Sequence, residues 1–208
     1  MTCSMSKKLF IAAIALLTSA CGSIVELPNS GDAPALYNLT ALSSPAPVGT
    51  DQMLMIEDPV TTGGLDVRNI ARRPSRNELQ YFAGARWSTR TSNMIQAALA
   101  ETFENAGQAV TSGRGGAVVP PQFELQLEIR DFQAEFYGSK TRPDVHVRIA
   151  IKLVQLSPLK VLMTSVIDVT QQSYGGDMPS VIDAFDKANH EAMAQIVNMT
   201  SKAIKSAN

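Results

Sequence analysis

With two histidines and two cysteines in 208 residues, the chain offers few groups for nucleophilic, acid–base or metal chemistry. A hydrolase needs a nucleophile, a base and a group that orients the base, and a zinc centre needs three or four ligands drawn together. His146 falls among the polar positions of an alternating segment, and His190 follows Asp186 by four residues on the polar side of a helical pattern. Both read as surface residues. There is no His-x-x-His pair and no Gly-x-Ser-x-Gly elbow, and the SGRGG run at 112–116 lacks the Gly-Lys-Ser/Thr ending that wraps nucleotide phosphates. Asp131 and Glu135 form a conceivable carboxylate pair, but four residues apart on an extended segment they serve equally well as polar rim residues. The sequence therefore points away from an enzyme, a metal or a cofactor. The side chains singled out for contact instead are Tyr81, Arg86 and Trp87, since a lone Trp beside Arg near a hinge is the composition of interface anchors. The competing reading is that Tyr81 and Trp87 only cover the edge of the core.

The one thiol with a chemical context is Cys21. Lys7 and Lys8 precede the apolar run Leu9 to Leu17, and Thr18, Ser19 and Ala20 lead into Cys21. Nine apolar residues are too few for a helix to cross about 30 Å of hydrocarbon, so the segment reads as an export signal. A cysteine directly after small residues resembles a lipobox, in which the thiol takes a diacylglyceryl group before cleavage. Thr18 departs from the usual Leu, which here sits one position early at Leu17. Residues 1–20 are thus expected to be signal, and Cys21 the lipidated first residue of the mature chain. Removing the signal with Lys7 and Lys8 leaves 188 residues bearing 16 basic and 19 acidic side chains, a formal charge of −3. It also removes Cys3, so no intramolecular disulfide can form, and the core must hold the fold unaided. Acyl chains at about 0.8 kcal/mol per buried methylene make a multi-chain anchor effectively permanent. Gly22, where Asp would signal inner-membrane retention, points to the outer membrane. Near-neutral charge and the lack of a basic run argue against nucleic acid.

The elements that must carry these groups follow from periodicity. Residues 21–34, with Pro28, Ser30, Gly31 and Pro34, read as a tether, and 35–208 as one globular domain, long enough to bury roughly 70% of its extended surface. Leu36 to Thr40 is expected as a first strand and Met53 to Ile56 as an interior one. Leu65 to Arg76, with Arg68, Arg72, Arg73 and Arg76, reads as a solvated loop or edge segment rather than a phosphate patch. Leu79, Tyr81 and Ala83 alternate as a strand, and Met94, Ile95, Ala98, Leu99, Thr102 and Phe103 form a helical stripe. Ser88, Thr89, Thr91 and Ser92 are its candidate caps, and Gly107 is placed to stop it. Gln108 to Pro121 reads as a loop. Phe123, Leu125, Leu127 and Ile129 alternate cleanly before the apolar set changes parity to Phe132, Ala134 and Phe136, which calls for a β-bulge near Asp131. Segments 145–154 and 161–174 complete an antiparallel meander, and a long helix capped by Ser180 runs from Val181 to Ile204. The second helix docks on the same sheet as the first, or on its opposite side.

The run NELQYFAGARW at 77–87, the helical MIQAAL, YNLT upstream and DFQAEF downstream together resemble the auxiliary lipoprotein family of bacterial MCE-type ABC lipid transporters, which includes Mla-like and Pqi-type accessory components. The resemblance spans most of the mature chain. It implies an α/β sandwich, a mixed sheet with a C-terminal antiparallel meander packed against two long helices, similar to anticodon-binding-like or TolB N-terminal arrangements. It further implies a membrane-anchored periplasmic accessory protein that meets an MCE-domain protein and an ABC permease and ATPase, with phospholipids or related molecules as cargo. The alternative is a module that itself shields an acyl chain in an apolar cavity. Homo-oligomeric rings suit a part that must meet a tunnel, but no residue sets a copy number.

Overall fold

The fold is built around a 13-residue strand that is legible from its alternation. In the computed structural model, which describes residues 33–43, 45–47, 50–113, 119–138 and 141–207, β7 (Phe123–Glu135) pairs with antiparallel β8 (Asp144–Leu156) along its whole length. β9 (Leu159–Gln172) continues the meander beyond β8. The other side of β7 is shared by three short parallel strands in succession: β2 (Thr50–Ile56), β3 (Val60–Thr61) and β4 (Asn69–Ser75). β6 (Gln108–Ser112) flanks β2, and β5 (Glu78–Trp87) followed by β1 (Ala35–Tyr37) flank β4. The result is a mixed nine-stranded sheet.

Two helices, α1 (Thr91–Asn105) and α2 (Met178–Ala207), cover one face. Their buried stripes, Ile95, Leu99 and Phe103 on one and Val181, Phe185, Ala192 and Ile196 on the other, join the inward residues of β7 and β8 in a single core, so both dock on the same side. Pro34 to the C-terminus forms one compact unit. No helix among the described residues is long and apolar enough to cross a membrane.

The parity change falls where the sequence demands it. Ile129 faces Ile149, but Asp131 faces Arg148, so Arg130 is the extra residue and Phe132 and Ala134 return to the core. Other expectations are corrected. The arginine-rich segment is an interior strand: Ile70 and Ala71 are buried, and β4 lies between β5 and β7. Its arginines reach the rim by their length, with the Arg72 guanidinium carbon 5.0 Å from the Phe136 ring centre and 5.7 Å from that of Phe82. Gln108–Ser112 is a strand rather than a loop, short and polar because β2 supplies its pairing on one side only. The first strand ends at Tyr37, and the third meander strand runs 159–172 rather than 161–174.

Neither helix is capped at its N-terminus as expected. α1 starts after Arg90 with no side-chain cap; instead Asp66, 26 residues upstream, accepts the Ser92 amide at 3.3 Å. At α2 the cap is Asp177, whose carboxylate accepts the Ser180 amide at 3.0 Å and its hydroxyl at 2.7 Å. These bonds hold the Asp177 carboxyl below the usual carboxylate range. Gly107, at φ 78°, ends α1 in the left-handed conformation that glycine adopts without strain.

Candidate functional site

Polar side chains converge at two places. The first is the open face of the sheet, beside the bulge. Gln133 is wholly buried there and acts as its centre: its carbonyl accepts the Phe132 amide at 2.8 Å, and its amide nitrogen donates to Asp131 and to Glu135, 3.0 Å each. The bulge has taken an amide out of the ladder, and a side chain three residues from the extra one replaces the lost partner. Asp131 also accepts from Arg148 Nε at 2.6 Å, with Arg73 at 4.0 Å. Burial alone raises the Asp131 pKa, but the bonds from Gln133 and Arg148 and the charge of Arg148 outweigh it and hold the carboxyl below its ordinary value. One strand over, His146 stands between Glu135, 3.1 Å from Nδ1, and Asp168, 2.9 Å from Nε2. Tyr137, at the end of this row, is pushed up by burial and by the Glu135 charge.

This row is wired for structure. Asp131 and Glu135 do not share a proton as a catalytic pair does; each has its own cation or imidazole, and Gln133 stands between them. Glu135 and Asp168 address opposite nitrogens of one ring, so they leave no common point for a metal ion. Among the described residues no cluster of three or more His, Cys, Asp or Glu side chains is arranged to hold one.

The second place joins the chain after β1 to both helices. Asp186 accepts the Thr40 amide at 2.7 Å and the Thr40 hydroxyl at 2.6 Å, while His190 Nε2 lies 2.9 Å from the same hydroxyl and 3.1 Å from the Thr40 carbonyl. Two residues on, Thr102 of α1 accepts the Leu42 amide at 3.1 Å, and Asn105 donates to the Leu42 carbonyl at 3.2 Å. Residues 38–42 thus form a strap over α1 and α2. Thr, His and Asp are hydrolase residue types, but here the carboxylate bonds the hydroxyl itself and approaches His190 only at 3.7 Å on the nitrogen already facing Thr40. Among the described residues no side chain is bonded to the other ring nitrogen, which a triad requires.

Of the residues proposed as contacts, Tyr81 and Arg86 lie on exposed positions of β5, Tyr81 with its hydroxyl on the Gly64 carbonyl at 2.9 Å. Trp87 is corrected: at 1% exposure it is a core residue, 5.3 Å from Phe185 and 5.8 Å from Phe132 between ring centres. Gly84, at φ 69°, marks the irregularity between β4 and β5 that turns Ala85 and Trp87 inward while residues 78–81 stay exposed. Cys21 lies outside the described residues.

The described molecule is therefore a one-sided α/β sandwich whose polar clusters brace the fold. The chain belongs to the family of ABC-type transport auxiliary lipoprotein components, whose model matches residues 37–197. Its fold is similar to that of protein XCC0632 from Xanthomonas campestris, at 23% identity over 83% of this chain and 98% of that one, with a TM-score of 0.75. An uncharacterized protein aligns at 10% identity over 81% and 99% with a TM-score of 0.62. The hypothetical protein CT253 from Chlamydia trachomatis aligns at 8% over 76% and 100% with a TM-score of 0.53. No curated protein matches the sequence.

Proposed function

We propose that this chain is an outer-membrane-anchored periplasmic accessory protein that docks an MCE-type ABC transporter at that membrane for the passage of phospholipid or related lipids. The family match over residues 37–197 carries the reading, and Cys21 in its lipobox-like context, followed by Gly22, supplies the anchor and its address. The work is alignment rather than bond-breaking: the domain holds a neighbouring MCE protein in place, while ATP is spent by the transporter's own ATPase. Tyr81 and Arg86 are the contact residues that remain available on the surface. Cys21→Ala should release soluble protein and impair lipid transport, and normal transport by the untethered form would overturn the reading.

A second reading rests on a cleft of about 510 Å3 between the last turns of α2 and β9, lined by Leu162, Met163, Met199 and Ala203 with Lys160 and Lys202 at its edge. Its size lies in the range of ligand pockets, and its lining is apolar with two cations. In this reading the domain itself shields an acyl chain. Native mass spectrometry of the purified protein separates the two: bound phospholipid supports the carrier, and none supports the docking part.

A further inference from the structure

The direction in which the chain enters the domain bears on which surface meets the bilayer. β1 is parallel to β5, with Ala35 beside Ala85 and Tyr37 beside Trp87. The described chain therefore enters β1, through Ala33 and Pro34, from the side of the β4–β5 turn at Arg76 and Asn77. That hairpin overhangs Ala35 by the eight positions from Ala85 to Asn77, roughly 25 Å of strand. Cys21 is fourteen residues before Ala35, a length of chain that spans at most roughly 50 Å. A domain tied by fourteen residues keeps its point of entry within that distance of whatever its anchor enters.

The side chains at this end suit a charged bilayer surface. Arg76 and Arg142 are exposed, and among the described residues neither has a carboxylate within the 4.0 Å of an ion pair; Arg76 rests over the Tyr137 ring at 6.0 Å. Arg72 and Arg73 each keep a buried Nε with no partner among the described residues. The acids of the same end each have a hydrogen-bond partner: Glu78 accepts from Gln80, Glu135 from Gln133, Asp144 from Gln172, and Asp177 caps α2. Leu79 and Tyr81 stand exposed on the hairpin between them. Arginine heads with aromatic and aliphatic tips are the composition that settles at an anionic headgroup layer.

We propose that the β4–β5 hairpin end, with Arg76, Leu79 and Arg142, lies against the anionic phospholipid headgroups of the membrane that holds the anchor, so that the β8–β9 turn and the end of α2 face away. This rests on lipidation at Cys21. The test places a single environment-sensitive probe on the acylated full chain, through Asn77→Cys or, at the far turn, Ser157→Cys, in vesicles of phosphatidylethanolamine and phosphatidylglycerol carrying a headgroup spin label. Quenching should be several-fold stronger at 77 than at 157, and should fall toward the level at 157 with Arg76→Glu and Arg142→Glu or without phosphatidylglycerol. Equal or reversed quenching on protein that floats with the vesicles overturns the orientation alone, and quenching at 77 that ignores both charge changes overturns the headgroup contact, the result expected if the tether alone sets the distance. Failure of the unaltered protein to float overturns the anchor, and this proposal with it.

Discussion

On the helix-covered face, Trp87, Phe132 and Phe185 meet with ring centres 5.0 to 5.8 Å apart; on the open face, at the same bulge, Asp131, Gln133, Arg148, Glu135 and His146 meet through charge and hydrogen bonds. Both clusters are anchored on β7, one residue out of phase. The apolar cluster gains from every atom it keeps from water, and a partly filled version still gains something. The polar cluster stabilises only when complete, since each buried group left unpaired costs its full desolvation. The bulge makes both necessary: by turning Phe132 inward it also strands an amide, which Gln133 then satisfies.

Truncation on the covered face should be the heaviest blow. Phe185→Ala is expected to lower unfolding free energy by about 3 to 5 kcal/mol in a urea titration, and a loss below about 1 kcal/mol would show that this cluster is loosely packed. On the open face, Gln133→Met keeps the volume but leaves the Phe132 amide and two carboxylates short of a partner; a loss of about 1 to 3 kcal/mol is expected, and a neutral result would mean that solvent already reaches the row. Asp131→Asn sharpens the contrast through pH. Because the folded carboxyl titrates below its ordinary value, its contribution is complete above about pH 5 and disappears as pH falls through the lowered value. The stability gap between the parent and Asp131→Asn should therefore be constant near neutrality and close below about pH 4. A gap that widens in acid would assign the opposite sign to this group. Asp66→Ala, which removes the distant cap of α1, should cost about 0.5 to 2 kcal/mol, detectable as earlier exchange of the Ser92 amide. Least of all, Lys187→Ala breaks an exposed pair with Asp183 and should leave the midpoint of the same titration unchanged within its error.

The covered face was the more legible of the two. Its period-two strands and period-3.6 helices follow from burial on one side, and the parity change at Asp131 is visible because a core cannot tolerate a slipped register. Gln133 carries no such mark: a single polar residue in an alternating strand looks the same whether solvated or enclosed. β4 was misjudged because four arginines outweigh Ile70 and Ala71 in composition, although their stems let the heads escape while the backbone stays interior. Trp87 was weighed as an anchor and as a core edge, and only the turn at Gly84 decides which way it points. The caps and the strap were invisible for another reason: Asp66 acts across 26 residues and Thr40 across 146, and no local pattern records such pairings. The lipidation proposed at Cys21 is the reverse case and rests on sequence alone.

The parallel placement of β1 against β5 also decides how the domain bears a mechanical load. Tension drawn from Ala33 toward the hairpin end runs along the axis of β1, so its bonds to β5, including Ser88 N–H to the Tyr37 carbonyl at 2.7 Å, are sheared together rather than unzipped singly. Behind them the Thr40 clasp on Asp186 and His190 takes up what remains. A pull on the chain where it enters the domain thus loads several bonds together rather than one at a time.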